Sequence, residues 1–581
     1  MRAPLSAPAV AATAAGRTLP SWAAPLLVFV AAALVYAVHL DRPPHPDELY
    51  QIIPAEGLLA TGEPRIADGL YARALAQTWI IAGSLRLVGH SLAAARLSSL
   101  LGVAGTTALL FLWLRRNAGP AAAWVGAVGF GLSPFAVSTA QFARIYGVQT
   151  FAFILVCLLT CAALAPPGPL RWTSGRWRTA PLRELGPRLV LLALAVPPLL
   201  LATHLQPTTL LGAAGLGSWA AGAVALPWLR DPEVPRGRKR LAVAAALVFA
   251  LALLAALWAG GVLRPLWHTY RYTPLFDQKY RNRFWFYAEW LFLYYPLPFL
   301  LVVPLALLAL AAWPRPASLA ACVFAVGFAL NSFGGMKGMR YLAYALPFLF
   351  ALWGMGLAAS WRMPAARWPA LGERLAGYVR QLAVRLPPRL RTPRLVPGLV
   401  VLLALANPAW VKTAARLADV RLPGEEPVPD WAAARPALEP WLRRVPVVVT
   451  TEELGTLHFL GRFDVRFSPS KLGEIEARDR HEFASDPRTG RAVISTVGSL
   501  GLVFDCYPEG LFLLASRQWG HAHLFSPEVQ AFVRDHGQPI PLPARGGVTA
   551  YGWAHPDGYR PPAACASLPP MPGPSARMPV R

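Results

Sequence analysis

SWAAPLLVFVAAALVYAVHL, residues 21–40, runs directly into DRPPHPDELY, residues 41–50. The first string is an unbroken apolar run. At about 1.5 Å per helical residue it covers the ~30 Å of a bilayer's hydrocarbon. It is too long for the hydrophobic region of a cleavable signal peptide, so it reads as an anchor. The second string turns abruptly polar and acidic. A membrane helix that ends in a proline-bracketed carboxylate pair sets the frame for the rest of the chain.

Further apolar runs follow near residues 94–114, 120–140, 148–165, 189–205, 208–227, 241–260, 290–312, 317–333, 341–359 and 395–411. With 22–40 they predict a multi-span α-helical membrane protein of about eleven transmembrane helices. Pro197 and Pro198 would kink one of them, which membrane helices tolerate. Composition agrees: 55% of the 581 residues are hydrophobic and 15% are charged, against roughly 25% charged in soluble domains. The net charge of +25 would also suit a nucleic-acid binder, but the arginines sit in short loops between apolar runs. With the N-terminus inside, inner loops carry roughly twice as many Arg and Lys as outer ones, the positive-inside pattern. No nucleic-acid partner is therefore expected.

This orientation divides the chain into a cytoplasmic tail (1–21), a transmembrane domain (22–411) with a long outer loop at 41–93, and an extracytoplasmic part (412–581). In the outer loop, Glu48–Leu59 and Leu70–Val88 read as helices lying on the membrane surface. From about Pro423 the apolar runs stop. Strand-like runs at Val445–Thr450, Ala492–Thr496, Leu511–Ala515 and Val548–Trp553 alternate with helix-like pieces such as Glu452–Leu460 and Pro527–His536. That alternation predicts a C-terminal soluble α/β domain with a Pro-rich tail. Its two cysteines, Cys506 and Cys565, would pair if the domain lies outside the cytoplasm and stay as thiols otherwise. The basic residues are almost all arginine, with much Ala and Pro, as in a GC-rich bacterial genome. The expected location is a bacterial inner membrane.

Three outer segments carry the candidate chemistry. In the first, His45-Pro46-Asp47-Glu48, adjacent carboxylates at a membrane face suit a general base or a metal ligand. Asp47 as N-cap and Glu48 in the first turn would equally serve a helix dipole. In the second, Lys337-Gly-Met-Arg340-Tyr341, two cations beside flexible backbone suit a phosphate, or anchor helix ends by snorkelling. The third is Arg144-Ile-Tyr146, with Arg96 beginning the second span at the same level; a ring of charge at one depth suggests a polar site in the outer leaflet. The loop 261–289 is aromatic and basic. His204 and His268 are weak metal-ligand candidates. There is no Walker A, GxSxG, HExxH or CxxC sequence.

Taken in order, Pro46-Asp47-Glu48-Leu49-Tyr50, then Leu87-Val88-Gly89-His90-Ser91, Ala95-Arg96-Leu97, Ala143-Arg144-Ile145-Tyr146 and Lys337-x-x-Arg340-Tyr341, the chain resembles the GT-C-type membrane glycosyltransferases. The group in question includes protein O-mannosyltransferases and lipid A aminoarabinose transferases. The resemblance runs from residue 22 to about 360. It implies transfer of a sugar from a polyprenyl-phosphate donor, at the outer face, to an acceptor hydroxyl on a lipid, glycan or protein. It implies Asp47, with Glu48, as the catalytic carboxylates. His45, Arg96, Arg144, Tyr146, Lys337, Arg340 and Tyr341 would bind substrate, with Lys337 and Arg340 on the lipid phosphate. Many relatives carry a second acidic residue beside the Arg-x-Tyr loop. Here Phe142 stands at that place, and no Asp or Glu lies between Ala118 and Pro181. A metal-independent enzyme with no cofactor is expected, a divalent metal remaining the alternative. A transporter or flippase of lipid-linked saccharides, and a non-catalytic membrane scaffold, are the rival readings.

Overall fold

A computed structural model describes residues 20, 22–164, 182–232, 234–261, 263–271, 283–362, 407–423, 425, 428–475, 481–520, 525–543 and 546–568. The chain begins with α1 (Ala23–Ala37), α2 (Pro46–Thr61), a two-residue hairpin of β1 (Arg65–Ile66) and β2 (Gly69–Leu70), and α3 (Leu75–Val88). Then come α4 (Leu92–Asn117), α5 (Pro120–Gly131), α6 (Pro134–Ala140) and α7 (Tyr146–Leu164). Helices also occupy Leu182–Leu205, Thr209–Ala220, Arg236–Ala259, Pro314–Phe333 and Leu346–Arg362.

Among the described residues, five helices are long and apolar enough to cross a membrane, or six if α5 and α6, bent by 59°, form one broken span. The break has a local cause. Ser133 Oγ accepts a hydrogen bond from Ala136 N and Pro134 opens α6, so the helix restarts with its own cap instead of running through. The run expected at 290–312 is likewise divided, into Phe286–Tyr294, Pro296–Leu300 and Val302–Ala312. Pro296 removes a backbone donor at its first break. The predicted run at 395–411, apart from its last residues, and the arginine-rich segment before it lie outside the described residues.

Glycines allow a close helix approach between α4 and α7. A Cβ on Gly147 would stand 2.8 Å from the backbone of Ser99, and one on Gly102 would stand 2.7 Å from Gly147 O. Side-chain-free backbone on both sides lets α4 and α7 touch.

Beyond Pro408–Leu417 and Trp431–Arg444 lies a seven-stranded sheet. Its strands are β3 (Val447–Thr450), β4 (Val465–Phe467), β5 (Ala484–Ser485), β6 (Ala492–Ile494), β7 (Glu509–Ala515), β8 (Gln538–Pro539) and β9 (Val548–Ala554), in the order β5-β6-β4-β3-β7-β9-β8. β3 pairs parallel to β4 and to β7, and β4 parallel to β6; β5, β8 and β9 pair antiparallel with their neighbours. Alternate residues feed opposite faces. Val447, Val449, Phe512 and Leu514 pack with the helices Val497–Cys506 and Pro527–His536. Val448, Leu511 and Leu513 pack with Leu438 and Leu442 of Trp431–Arg444. Cys506 and Cys565 form a disulfide.

The sheet region docks on the connection between α1 and α4. Leu49, Ile52 and Ile53 of α2 share an apolar cluster with Leu454, Leu457 and Phe463. Tyr50 Oη donates to Glu453 Oε1 at 2.8 Å, Asp68 N donates to Thr489 O at 3.0 Å, and Arg491 Nε meets Asp68 Oδ2 at 2.8 Å. α2 is thus covered by protein where a helix lying free on the membrane surface was expected.

Candidate active site

The site forms where α1 ends and α2, α4 and α7 begin. Backbone chemistry places its first residue. His45 caps α2: its Nδ1 accepts from Asp47 N at 3.1 Å, its own N donates to Glu48 Oε1 at 2.9 Å, and Pro46 fills the first helical position. Asp47 and Glu48, adjacent in sequence, then face different surroundings.

Glu48 points inward and is 2% exposed. Arg96 Nε and Nη2 each donate to its carboxylate at 2.8 Å, and Ala143 N donates to Oε2 at 2.8 Å. Arg96 Nη1 goes to the carbonyls of Leu40 (2.6 Å) and Arg42 (2.8 Å). This two-pronged ion pair ties the end of α1, the start of α2, α4 and the loop before α7 to one point. Glu48 and Arg96, expected as a reacting carboxylate and a substrate ligand, are engaged with each other and with backbone. Breaking such a buried pair from one side costs about 3–5 kcal/mol.

Asp47 points the other way, half-buried, and pairs with Arg340 Nη1. Arg340 comes from the 3₁₀ turn Met339–Leu342 and lies 5.5 Å from the Tyr341 ring centre. Arg144 stands opposite. Burial alone would raise the Asp47 carboxyl, but the Arg340 and Arg144 guanidiniums beside it hold it well below the usual carboxylate range. Tyr146, first residue of α7, bears on Arg340 as well.

Arg144 is the unusual group. Its backbone is fixed: Ser99 Oγ donates to its carbonyl at 3.0 Å, and its N donates to Phe142 O at 2.6 Å. Its side chain is 6% exposed, yet Nε and Nη1 have no hydrogen-bond partner among the described residues. A buried guanidinium with open donors is costly unless something anionic completes it.

Lys337 does not join Arg340. Its Nζ donates to Ser332 O and lies 6.0 Å from the Tyr287 ring centre. Burial pushes its ammonium down to about 8. Lys337 and Arg340, expected to share a phosphate, have different partners: Ser332 O for Lys337 and Asp47 for Arg340. Beside Tyr341, a shallow open recess is lined by Thr208, Leu211, Leu266, Asn331, Gly334 and Met336. His204 Nε2 accepts from Ala76 N at 3.4 Å. The His268 side chain and residues 272–282 of the aromatic loop lie outside the described residues. Among the described residues no group of three His, Cys, Asp or Glu is placed to hold a metal ion.

The chain shares its overall fold with a solved structure, over nearly the whole length of both chains. In particular, the chain is similar to ArnT from Cupriavidus metallidurans in its crystal structure bound to undecaprenyl phosphate. There the TM-score is 0.54 at 14% identity, covering 92% of this chain and 99% of that one. The apo form of the same protein gives 0.54 at 14%, over 93% and 100%. Archaeal oligosaccharyltransferase AglB from Archaeoglobus fulgidus, in complex with an inhibitory peptide and a dolichol-phosphate, gives 0.45 at 12%, over 94% and 75%. No protein-family model matches the sequence, and no curated protein matches it.

Proposed function

We propose that the chain is a glycosyltransferase that moves a sugar from a polyprenyl-phosphate carrier to an acceptor hydroxyl at the outer face of a bacterial inner membrane. The observation that carries this reading is Arg144: a buried cation with two open donors, facing a carboxylate that Arg340 also holds. A phosphate monoanion or dianion fits between two guanidiniums as a bidentate partner. The fold shared with ArnT, whose crystal structure holds undecaprenyl phosphate, makes a lipid phosphate the natural occupant. Leu211, Leu266 and Met336, near Tyr341, offer the first prenyl units apolar surface.

In the transfer, the acceptor oxygen forms a bond to the sugar's anomeric carbon. The bond from that carbon to the phosphate oxygen breaks, and its electron pair stays on the phosphate. Arg144 and Arg340 stabilise the negative charge that grows there. Asp47, ionised at neutral pH, accepts the hydroxyl's hydrogen bond and takes its proton once the bond to the anomeric carbon has formed and the oxygen has become strongly acidic. The residues argue for a metal-independent reaction. A divalent cation at Asp47 would meet two guanidiniums, and the oxygens of Glu48 are occupied.

Transfer from a radiolabelled polyprenyl-phosphate sugar, by the protein in liposomes, tests the reading. Asp47→Asn is expected to cut transfer at least a hundredfold with an unchanged melting temperature. Wild-type-like transfer by that variant removes Asp47 from the mechanism. The disulfide at Cys506–Cys565 supports an extracytoplasmic C-terminal region.

A further inference from the structure

The C-terminal sheet has a second polar cluster that no step above uses. The chain leaves β3 toward β4 and β6 on one side, then returns to β7 on the other, and both β4 and β7 run parallel to β3. A switch point of this kind leaves a crevice past the carboxyl ends of the two strands, the usual ligand position in open α/β sheets. Thr451 and Glu452 follow β3; Arg517 and Gln518 follow β7. Thr451 Oγ1 donates to Gln518 Oε1, and Arg517 Nη2 stands 3.8 Å from Glu452 Oε1. Glu452 is 5% exposed, and its Oε2 has no hydrogen-bond partner among the described residues.

The segment that follows β3 also contacts α2. Glu453, next in the chain, accepts from Tyr50 of α2, three residues from Asp47. The guanidiniums of Arg517 and Arg340 both act electrostatically on the His45 ring. Arg517 thus lies near enough to His45, the residue that caps α2, for its charge to be felt there.

From this geometry we infer that the crevice between β3 and β7 is the acceptor subsite, and that Glu452 and Arg517 hold a polyhydroxylated, sugar-like acceptor beside Asp47. The inference deepens the transferase reading and rests on it. The chemistry of the pair selects the class. A carboxylate that accepts and a guanidinium that donates, a few ångströms apart, match the two hydroxyls of a vicinal diol, each of which donates and accepts. Burial raises the Glu452 carboxyl to about 7, against the Arg517 charge and with that of Glu453. At neutral pH it therefore serves a hydroxyl as either acceptor or donor. An unpaired buried oxygen is retained at a cost that a ligand would offset.

Saturation-transfer NMR on the full-length protein in nanodiscs, with methyl glucoside, methyl mannoside and methyl galactoside as probes, tests this. Undecaprenyl phosphate binding is measured on the same samples. At least one glycoside is expected to bind, with affinity falling tenfold or more in Glu452→Gln and in Arg517→Gln while undecaprenyl phosphate affinity holds. Arg517 is partly exposed, so its variant reports even if the Glu452 variant folds poorly. Glycoside binding unchanged in both variants overturns the proposal. So does the absence of glycoside binding, or displacement of the glycoside by a serine-containing peptide alone. Failure of wild type to bind undecaprenyl phosphate counts against the donor reading and leaves the glycoside result to decide this one.

Discussion

Adjacent carboxylates with opposite employment define the residue scale. Asp47 and Glu48 sit in one helical turn, yet one is set against two cations and the other is locked to Arg96. Their variants should therefore separate function from stability. Glu48→Gln or Arg96→Ala is expected to lower stability by about 3–5 kcal/mol, read as a melting shift in detergent, and activity should fall only as folded protein is lost. A stable but inactive Glu48→Gln would return Glu48 to the chemistry. Glu452 gives a pH test independent of catalysis. Its carboxyl is raised to about 7 from 4.5, so the folded state holds a proton that the unfolded state releases. The stability this provides is present below pH 4.5 and lost as pH rises through 7. Replacement by Gln should leave stability little changed at pH 5 and raise it at pH 8, by up to roughly 3 kcal/mol for the full shift. A pH-independent difference would show that Glu452 has an ordinary pKa.

Among the elements, α2 and the α4–α7 contact position the site. The sequence shows α2 through its cap residues, and α4 and α7 through their apolar runs. It does not show that α5 breaks at Ser133–Pro134, because an apolar run looks the same whether one helix or two cover it. Lys337 and Arg340 read as a pair because two cations stand close in sequence beside flexible, glycine-flanked backbone. Their side chains find separate partners, Ser332 O and Asp47, and sequence spacing does not show which. Strands β4, β5 and β8 are two or three residues long, too short for alternation to register. At the helix contact, Gly147→Ala would force a Cβ against Ser99 backbone at 2.8 Å. We expect a loss of about 1–3 kcal/mol from overpacking, and reduced transfer because Arg144 sits three residues away. A melting temperature equal to wild type would mean that α4 and α7 do not approach so closely.

Seen as a whole, the molecule is helices below and a sheet above, joined through α2. The membrane character, the Asp47 segment and the Arg144 loop were all legible in the residues, since each lies in a local pattern. The joint was not. Tyr50 meets Glu453 across 403 positions, and no local pattern encodes a contact of that range. For the same reason Glu452 and Arg517 carry no signal as site residues until the sheet brings β3 beside β7. The disulfide belongs to this scale: removing it as a Cys506→Ser, Cys565→Ser double variant should cost the sheet region about 2–4 kcal/mol. Limited proteolysis at graded temperature would show this; identical cleavage in both proteins would mean the bond is absent in the cell.

The central claim is that two arginines far apart in sequence, Arg144 and Arg340, hold one lipid phosphate against Asp47. Native mass spectrometry of undecaprenyl phosphate binding measures it directly. Arg144→Gln and Arg340→Gln are each predicted to weaken binding at least tenfold, with Asp47→Asn binding as tightly as wild type or more so. Equal binding by all four proteins would contradict the account.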